Sequence, residues 1–298
     1  MNKTQLLGIT ALASMASSSV FAANINWDGS TDGNFNIGAN WGNGSGPVDG
    51  NTYFIRTGAN LDNIFQTAQD RTIDRLGMGE NGSASSEWTL NIKGGSINTN
   101  GAESPDPSAN NIGQQSLGTT SLNVKGGAFT ATNFTNVGGA GGSTFLNVTD
   151  GILDIATARF GNGGASATLS VTGDTITTLS GTDFEFLGNG ILDFNFNETG
   201  VKTLSLDSLI AASGTLSVDL TGYNGGSTTI TLADVTGGTG ITSAFGTVNV
   251  TEGAYVGSFV TQDLGTDLIT LTIVPEPGTY ALLGGLLALS YVMVRRRS

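Results

Sequence analysis

Four near-copies of one six-residue phrase govern what this chain can fold into: Leu90-Asn91-Ile92-Lys93-Gly94-Gly95, Leu122-Asn123-Val124-Lys125-Gly126-Gly127, Leu146-Asn147-Val148-Thr149-Asp150-Gly151 and Leu169-Ser170-Val171-Thr172-Gly173-Asp174. Successive copies begin 32, 24 and 23 residues apart. An apolar residue and a glycine precede each copy (Leu76-Gly77, Ile112-Gly113, Val137-Gly138, Phe160-Gly161), and a second short β run such as Ala128-Phe129-Thr130-Ala131 or Ile152-Leu153-Asp154-Ile155 follows. One period of about 23 residues therefore holds three short strands, the length of one coil of a parallel β-helix. The long first interval is assigned to an insertion over residues 102–110, where Pro105 and Pro107 mark a loop.

Within each phrase the period-2 alternation sends Leu122 and Val124 inward and Asn123 and Lys125 outward, so that counterparts stack coil upon coil. A β-sandwich would also alternate, but nothing in it requires the same words at a constant spacing. The expected fold is all-β: a right-handed parallel β-helix over residues 23–199, followed by an antiparallel β module over residues 200–273. Past Asp183 the phrase decays, and Leu192-Asp193-Phe194-Asn195-Phe196 reads as one last irregular coil. The later runs Thr215-Leu216-Ser217-Val218-Asp219-Leu220 and Asp267-Leu268-Ile269-Thr270-Leu271-Thr272-Ile273 are longer, with glycine-rich turns between them, and such a module would close the open end of a solenoid.

Residues 24–60 set Trp27 and Trp41 among Gly, Asn and Asp. Two tryptophans in such a segment either cap the first coil or stack on sugar rings, the cap being the commoner use. Asp28, Asp32 and Asp49 do not have EF-hand spacing, so calcium is only an open option and no cofactor is expected. The opening Asn26-Trp27-Asp28-Gly29, the second Asn40-Trp41, Pro47 and then Tyr53-Phe54-Ile55 are similar to the start of autotransporter-like β-repeat proteins.

Both ends read as processing segments. Lys3, an apolar stretch over residues 6–15 and Val20-Phe21-Ala22 have the form of a secretory signal peptide over residues 1–22, cut between Ala22 and Ala23. Residues 274–298 combine Pro275-Glu276-Pro277, an apolar run over residues 278–294 and the terminal Arg295-Arg296-Arg297. The run is expected to be a transmembrane helix of about 25 Å, the short limit for a ~30 Å hydrocarbon core, with the arginines as a cytoplasmic stop. This three-part ending resembles the PEP-CTERM sorting signal of Gram-negative and related bacteria. The resemblance implies recognition by a membrane-embedded exosortase after passage through the Sec translocon. It also implies a transient inner-membrane anchor, removal of the tail, and release to the cell surface or an exopolysaccharide matrix.

Chemistry is narrowly bounded. The chain has no cysteine and no histidine, which excludes disulfides, thiol nucleophiles, histidine-based triads and the common zinc sites. Between the two ends, 7 basic residues face 23 acidic ones, a charge near −16 that repels nucleic acid. Only two carboxylate pairs invite inspection as acid and base: Asp150 with Asp154, and Asp183 with Glu185, Arg159 being the one basic residue in their part of the chain and at some distance. Asp150 stands where a turn glycine stands in other copies and has an ordinary turn explanation. No catalytic residue and no metal ligand is expected. The expected role is structural or adhesive. The alternatives are a glycan-binding module, an ice-binding one (for which a Thr-x-Thr ladder does not recur), or a β-helical polysaccharide-degrading enzyme.

Overall fold

The computed structural model describes residues 23–56, 64–66, 69–79, 87–101, 110–113, 117–139, 141–226, 228–274 and 279–296. They form a β-solenoid of about 7 turns. The proposed signal peptide, most of the expected insertion over residues 102–110, and Pro275-Glu276-Pro277 lie outside the described residues.

Three parallel ladders run along the solenoid. The second ladder is made by the repeated phrase, and its registers align Ile64, Leu90, Leu122, Leu146, Leu169, Leu192, Leu216 and Val248 as one column. Ile92, Val124, Val148, Val171, Phe194, Val218 and Val250 form the next column. From Leu90 through Leu216 the first column is wholly buried. Each such side chain stabilises the fold by roughly 1.5–3 kcal/mol, and the sum over coils replaces the missing disulfides. The third ladder begins at Asp70–Ile73 and Ser96–Thr99, and the first at Asn24–Asn26 and Thr52–Ile55. The strands Thr119–Val137 and Ser143–Phe160 are long enough to serve all three ladders in turn, bending at register shifts such as that between Val148 and Asp150.

The expected boundary at residue 200 is not a boundary of pairing. Leu204–Ile210, Thr215–Asp219, Gly240–Ser243 and Thr247–Thr251 all continue the parallel ladders. Past residue 200, antiparallel pairing among the described residues is confined to Leu268–Thr272 against Thr229–Asp234 on one side and Phe259–Asp263 on the other. The phrase decays here because Phe194 and Val248 replace the expected residues, while the in-out alternation that a coil needs persists. Asn110, placed at the end of the insertion by the sequence, instead belongs to the buried strand Asn110–Ile112.

The N-terminal end is closed by aromatic rings. Trp27 meets Trp41 edge-on at 5.0 Å, and Trp41 meets Phe35 at 5.0 Å and Tyr53 at 4.8 Å. Trp41 donates its indole N–H to the Phe35 carbonyl at 2.7 Å. Further along the first ladder the rings of Phe160 and Phe186 stack in parallel, 4.7 Å apart.

The C-terminal run does form a helix, Thr279–Arg295, but of only 17 residues. The expected membrane span is corrected accordingly: among the described residues no helix is long and apolar enough to cross a membrane. At ~1.5 Å per residue it falls short of a ~30 Å hydrocarbon core.

Candidate functional site

The outward side chains of the solenoid come in columns one coil-spacing apart, because every ladder is nearly in register. On the second ladder Asn123 donates its amide to the Asn91 side-chain oxygen at 2.9 Å, and Asn147 donates to Asn123 at 2.7 Å. Asn91 closes the row by donating to the Ile64 carbonyl. Each carboxamide is donor to one coil and acceptor for the next, and Asn91 and Asn123 are buried by this stacking although they point away from the Leu column. The column continues as Ser170 and Asp193, with Asn195 donating to both.

A second polar cluster fills the corner between the third and first ladders. Asn110 accepts the Leu76 backbone N–H at 2.9 Å. Its amide donates to Thr99 Oγ1 at 2.7 Å, Asn133 Oδ1 at 2.8 Å and Thr135 Oγ1 at 3.2 Å. All four of these side chains are buried. The cluster satisfies itself and leaves no group free to act on a ligand.

The carboxylate pairs fare as follows. Asp150 lies inside the strand Ser143–Phe160, beside a register shift, and accepts the adjacent Gly151 N–H, while Asp154 accepts the Ser180 hydroxyl at 2.8 Å on the next coil. Asp183 and Glu185 do share the outward side of one strand. The sequence placed Arg159 at some distance from them; the parallel register instead sets Arg159 directly opposite Glu185, with Nε 2.5 Å from its carboxylate. The Arg159 guanidinium also lies over the Phe134 ring, 5.4 Å from its centre. A glutamate bound by its neighbour in this way is a strut between coils.

In the cap, Asp32 accepts the Asn34 N–H and the Asn40 amide, Asp28 accepts the Ser30 N–H, and Asp49 accepts the Thr72 N–H. Asp28 and Asp32 thus have local turn partners, and Asp49 binds the edge of the strand Asp70–Ile73. Among the described residues no group of three or more acidic side chains is arranged to hold a metal ion. Trp27 and Trp41 are buried, so neither offers a ring face to a sugar. A groove of about 330 Å³ beside the first strand is lined by Ala23, Asn24, Ile25, Asn26, Gly42, Asn43 and Asn51. It contains no titratable side chain and so no acid or base.

Two carboxyls are held below the ordinary carboxylate range. Asp174 is lowered first by the Asn197 amide and next by Thr199, and Asp263 by the Gly265 N–H and Thr266. Neither belongs to the pairs singled out from the sequence.

Of the processing residues, Ala23 opens the described chain and donates its N–H to Asn51 Oδ1 at 3.1 Å. Arg295 and Arg296 are exposed at the end of the helix, while Ala22, Pro275, Glu276, Pro277 and Arg297 lie outside the described residues. The rows of stacked amides and the strut were the features that sequence reasoning underweighted; the recurrence of Asn at the second place of the phrase was the signal for the former.

No protein-family model, no curated protein and no solved structure matches this chain.

Proposed function

We propose that this chain is an exported structural or adhesive element of the cell surface or extracellular matrix, delivered through a PEP-CTERM-type sorting tail. The observation that carries the structural half is the direction in which the polar side chains spend their hydrogen bonds. From Asn91 to Asn147 they bond along the solenoid axis, coil to coil, and do not converge on a cavity. Such a surface stiffens a rod and presents a repeating face, which supports a structural role. Buried tryptophans also remove the main support for a sugar-stacking module.

The delivery half rests on Pro275-Glu276-Pro277, an apolar stretch and three terminal arginines in that order. The helix Thr279–Arg295 follows the motif directly, and Leu286, Leu287, Tyr291 and Val294 on it are exposed. An apolar helix so exposed is suited to contact the membrane until the motif is cut.

The test is intact mass and cell fractionation in the native host, with and without Pro275→Ala and Pro277→Ala together. Loss of both ends from the wild type, with the variant held at the membrane at higher mass, is the expected result. Retention of the tail in both proteins overturns the sorting reading.

A further inference from the structure

The strand Thr247–Thr251 reads Thr-Val-Asn-Val-Thr, the same in both directions. It is also the last rung of the second ladder, pairing with Thr215–Asp219 and, among the described residues, with no other strand. We propose that this strand pairs antiparallel with the same strand of a second copy of the chain, joining two solenoids tail to tail.

The backbone geometry leaves the outer edge available. Thr247 donates its N–H to the Gly214 carbonyl and Thr251 accepts the Leu220 N–H, so these residues and Asn249 direct their backbone groups at the preceding coil. The N–H and C=O groups of Val248 and Val250 then point to the open side. Side chains tell the same story. Val248 extends the column that begins at Ile64, yet it is 38% exposed where Leu216 beneath it is 0% exposed, because no further coil covers it. Val256 and Phe259 add exposed apolar surface at this end.

Self-pairing follows from the order of residues. In an antiparallel register centred on Asn249, Thr247 meets Thr251 of the second copy, Val248 meets Val250, and Asn249 meets itself. Every cross-strand pair is then of like with like, a two-fold arrangement in which one patch serves both partners. The strand is uncharged and rich in β-branched residues, the composition that edge strands normally avoid.

Among the described residues no other ladder end offers this. At the N-terminal end the Asn26 carbonyl accepts the Gly42 N–H, Phe65 exchanges hydrogen bonds with Gly33 and Phe35, and Thr72 is bonded by Gly50 and Asp49. At the C-terminal end Ile241 donates to the Asp267 carboxylate. Phe259–Asp263 also pairs on one side only, but Phe-Val-Thr-Gln-Asp is not the same in both directions and ends on a charge. A head-to-tail filament is therefore disfavoured, and the assembly stops at two.

The proposal stands apart from the sorting reading and is tested on the purified full chain in a neutral detergent. The chain has no cysteine, so Asn249→Cys introduces its sole thiol. At the centre of the pairing the two Cα atoms stand about 4.5 Å apart, within disulfide range. Mild oxidation is expected to give a disulfide-linked dimer about tenfold more abundant than from a Ser45→Cys control at the opposite end. Adding Val248→Lys to Asn249→Cys is expected to remove the dimer while the far-UV circular dichroism stays unchanged. Cross-linking no greater than in the control, or insensitive to Val248→Lys in a folded protein, overturns the proposal.

Discussion

Arg159 and Glu185 are 26 residues apart in the chain and face one another across adjacent coils, joined by a bond from Nε to the carboxylate. Their side chains are 38% and 28% exposed, so solvent screens the attraction. Glu185→Gln is expected to lower the unfolding free energy by no more than about 1 kcal/mol, with the loss shrinking as salt is added. Chemical denaturation at low and high ionic strength measures this. A loss of several kcal/mol, unaffected by salt, would mean that the pair does more than tie two coils together.

Asn110 is a different case, because its partners cannot turn to water. Asn110→Ala leaves the Leu76 N–H without its acceptor and strips a hydrogen-bond partner each from Thr99, Asn133 and Thr135 in a buried corner. A cost of about 3 kcal/mol is expected from the denaturation midpoint. Asn123→Ala, which breaks two links of the amide row, one of them part-buried, should cost less, about 1–2 kcal/mol.

Two glycines with positive φ should respond unequally to alanine. Gly151 has φ +90°, and an added Cβ would lie 2.1 Å from the Gly127 carbonyl oxygen on the preceding coil. Gly44 has φ +67° with nothing within 4 Å of such a Cβ. Gly44→Ala then costs the backbone strain alone, about 1–2 kcal/mol, whereas Gly151→Ala must also push two coils apart. Equal midpoints for the two variants would contradict the close approach at Gly151.

Asp174 supplies a pH dependence. Hydrogen bonding from Asn197 and Thr199 holds its carboxyl below the ordinary range, so the ionised form is favoured in the folded state. The resulting stabilisation is fully present above the ordinary carboxylate pKa of about 3.9 and is lost as pH falls through the lower folded value. Since Asp174 is exposed, the effect is small. The difference in midpoint between the wild type and Asp174→Asn is expected near neutral pH and should vanish in strong acid. A difference that does not change with pH would dismiss the assignment.

The solenoid was legible because Leu90, Leu122, Leu146 and Leus at later coils occupy equivalent inward places, and close packing limits what can stand there. Its continuation past residue 200 was not. Between Leu216 and Val248 the chain makes a long excursion through Thr229–Asp234 and Gly240–Ser243, so the spacing jumps although the register resumes. The opposition of Arg159 and Glu185 was hidden for a related reason. Val148 pairs 23 residues on with Val171, Gly151 pairs 25 residues on with Ile176, and beyond the bulge between Gly151 and Ile152 the pairing runs 26 residues on, so the corner after Thr172 and the bulge together carry Arg159 to Glu185. An outward contact depends on that difference, whereas an inward column tolerates it. At the tail both the apolar character and the short length were plain in the sequence, and the helix Thr279–Arg295 is no longer than the run that encodes it.

The aromatic closure at the N-terminal end gives the fold a direction in time. Trp27, Phe35, Trp41 and Tyr53 all lie in the first stretch of the described chain, so a chain that emerges N-terminus first holds every ring of the cap before the first repeat phrase exists. Each later coil then has an ordered edge to grow from. Propagation from a finished seed spares the repeats the choice among near-identical neighbours, in which one Leu-Asn-Val could otherwise pair with the wrong copy of itself.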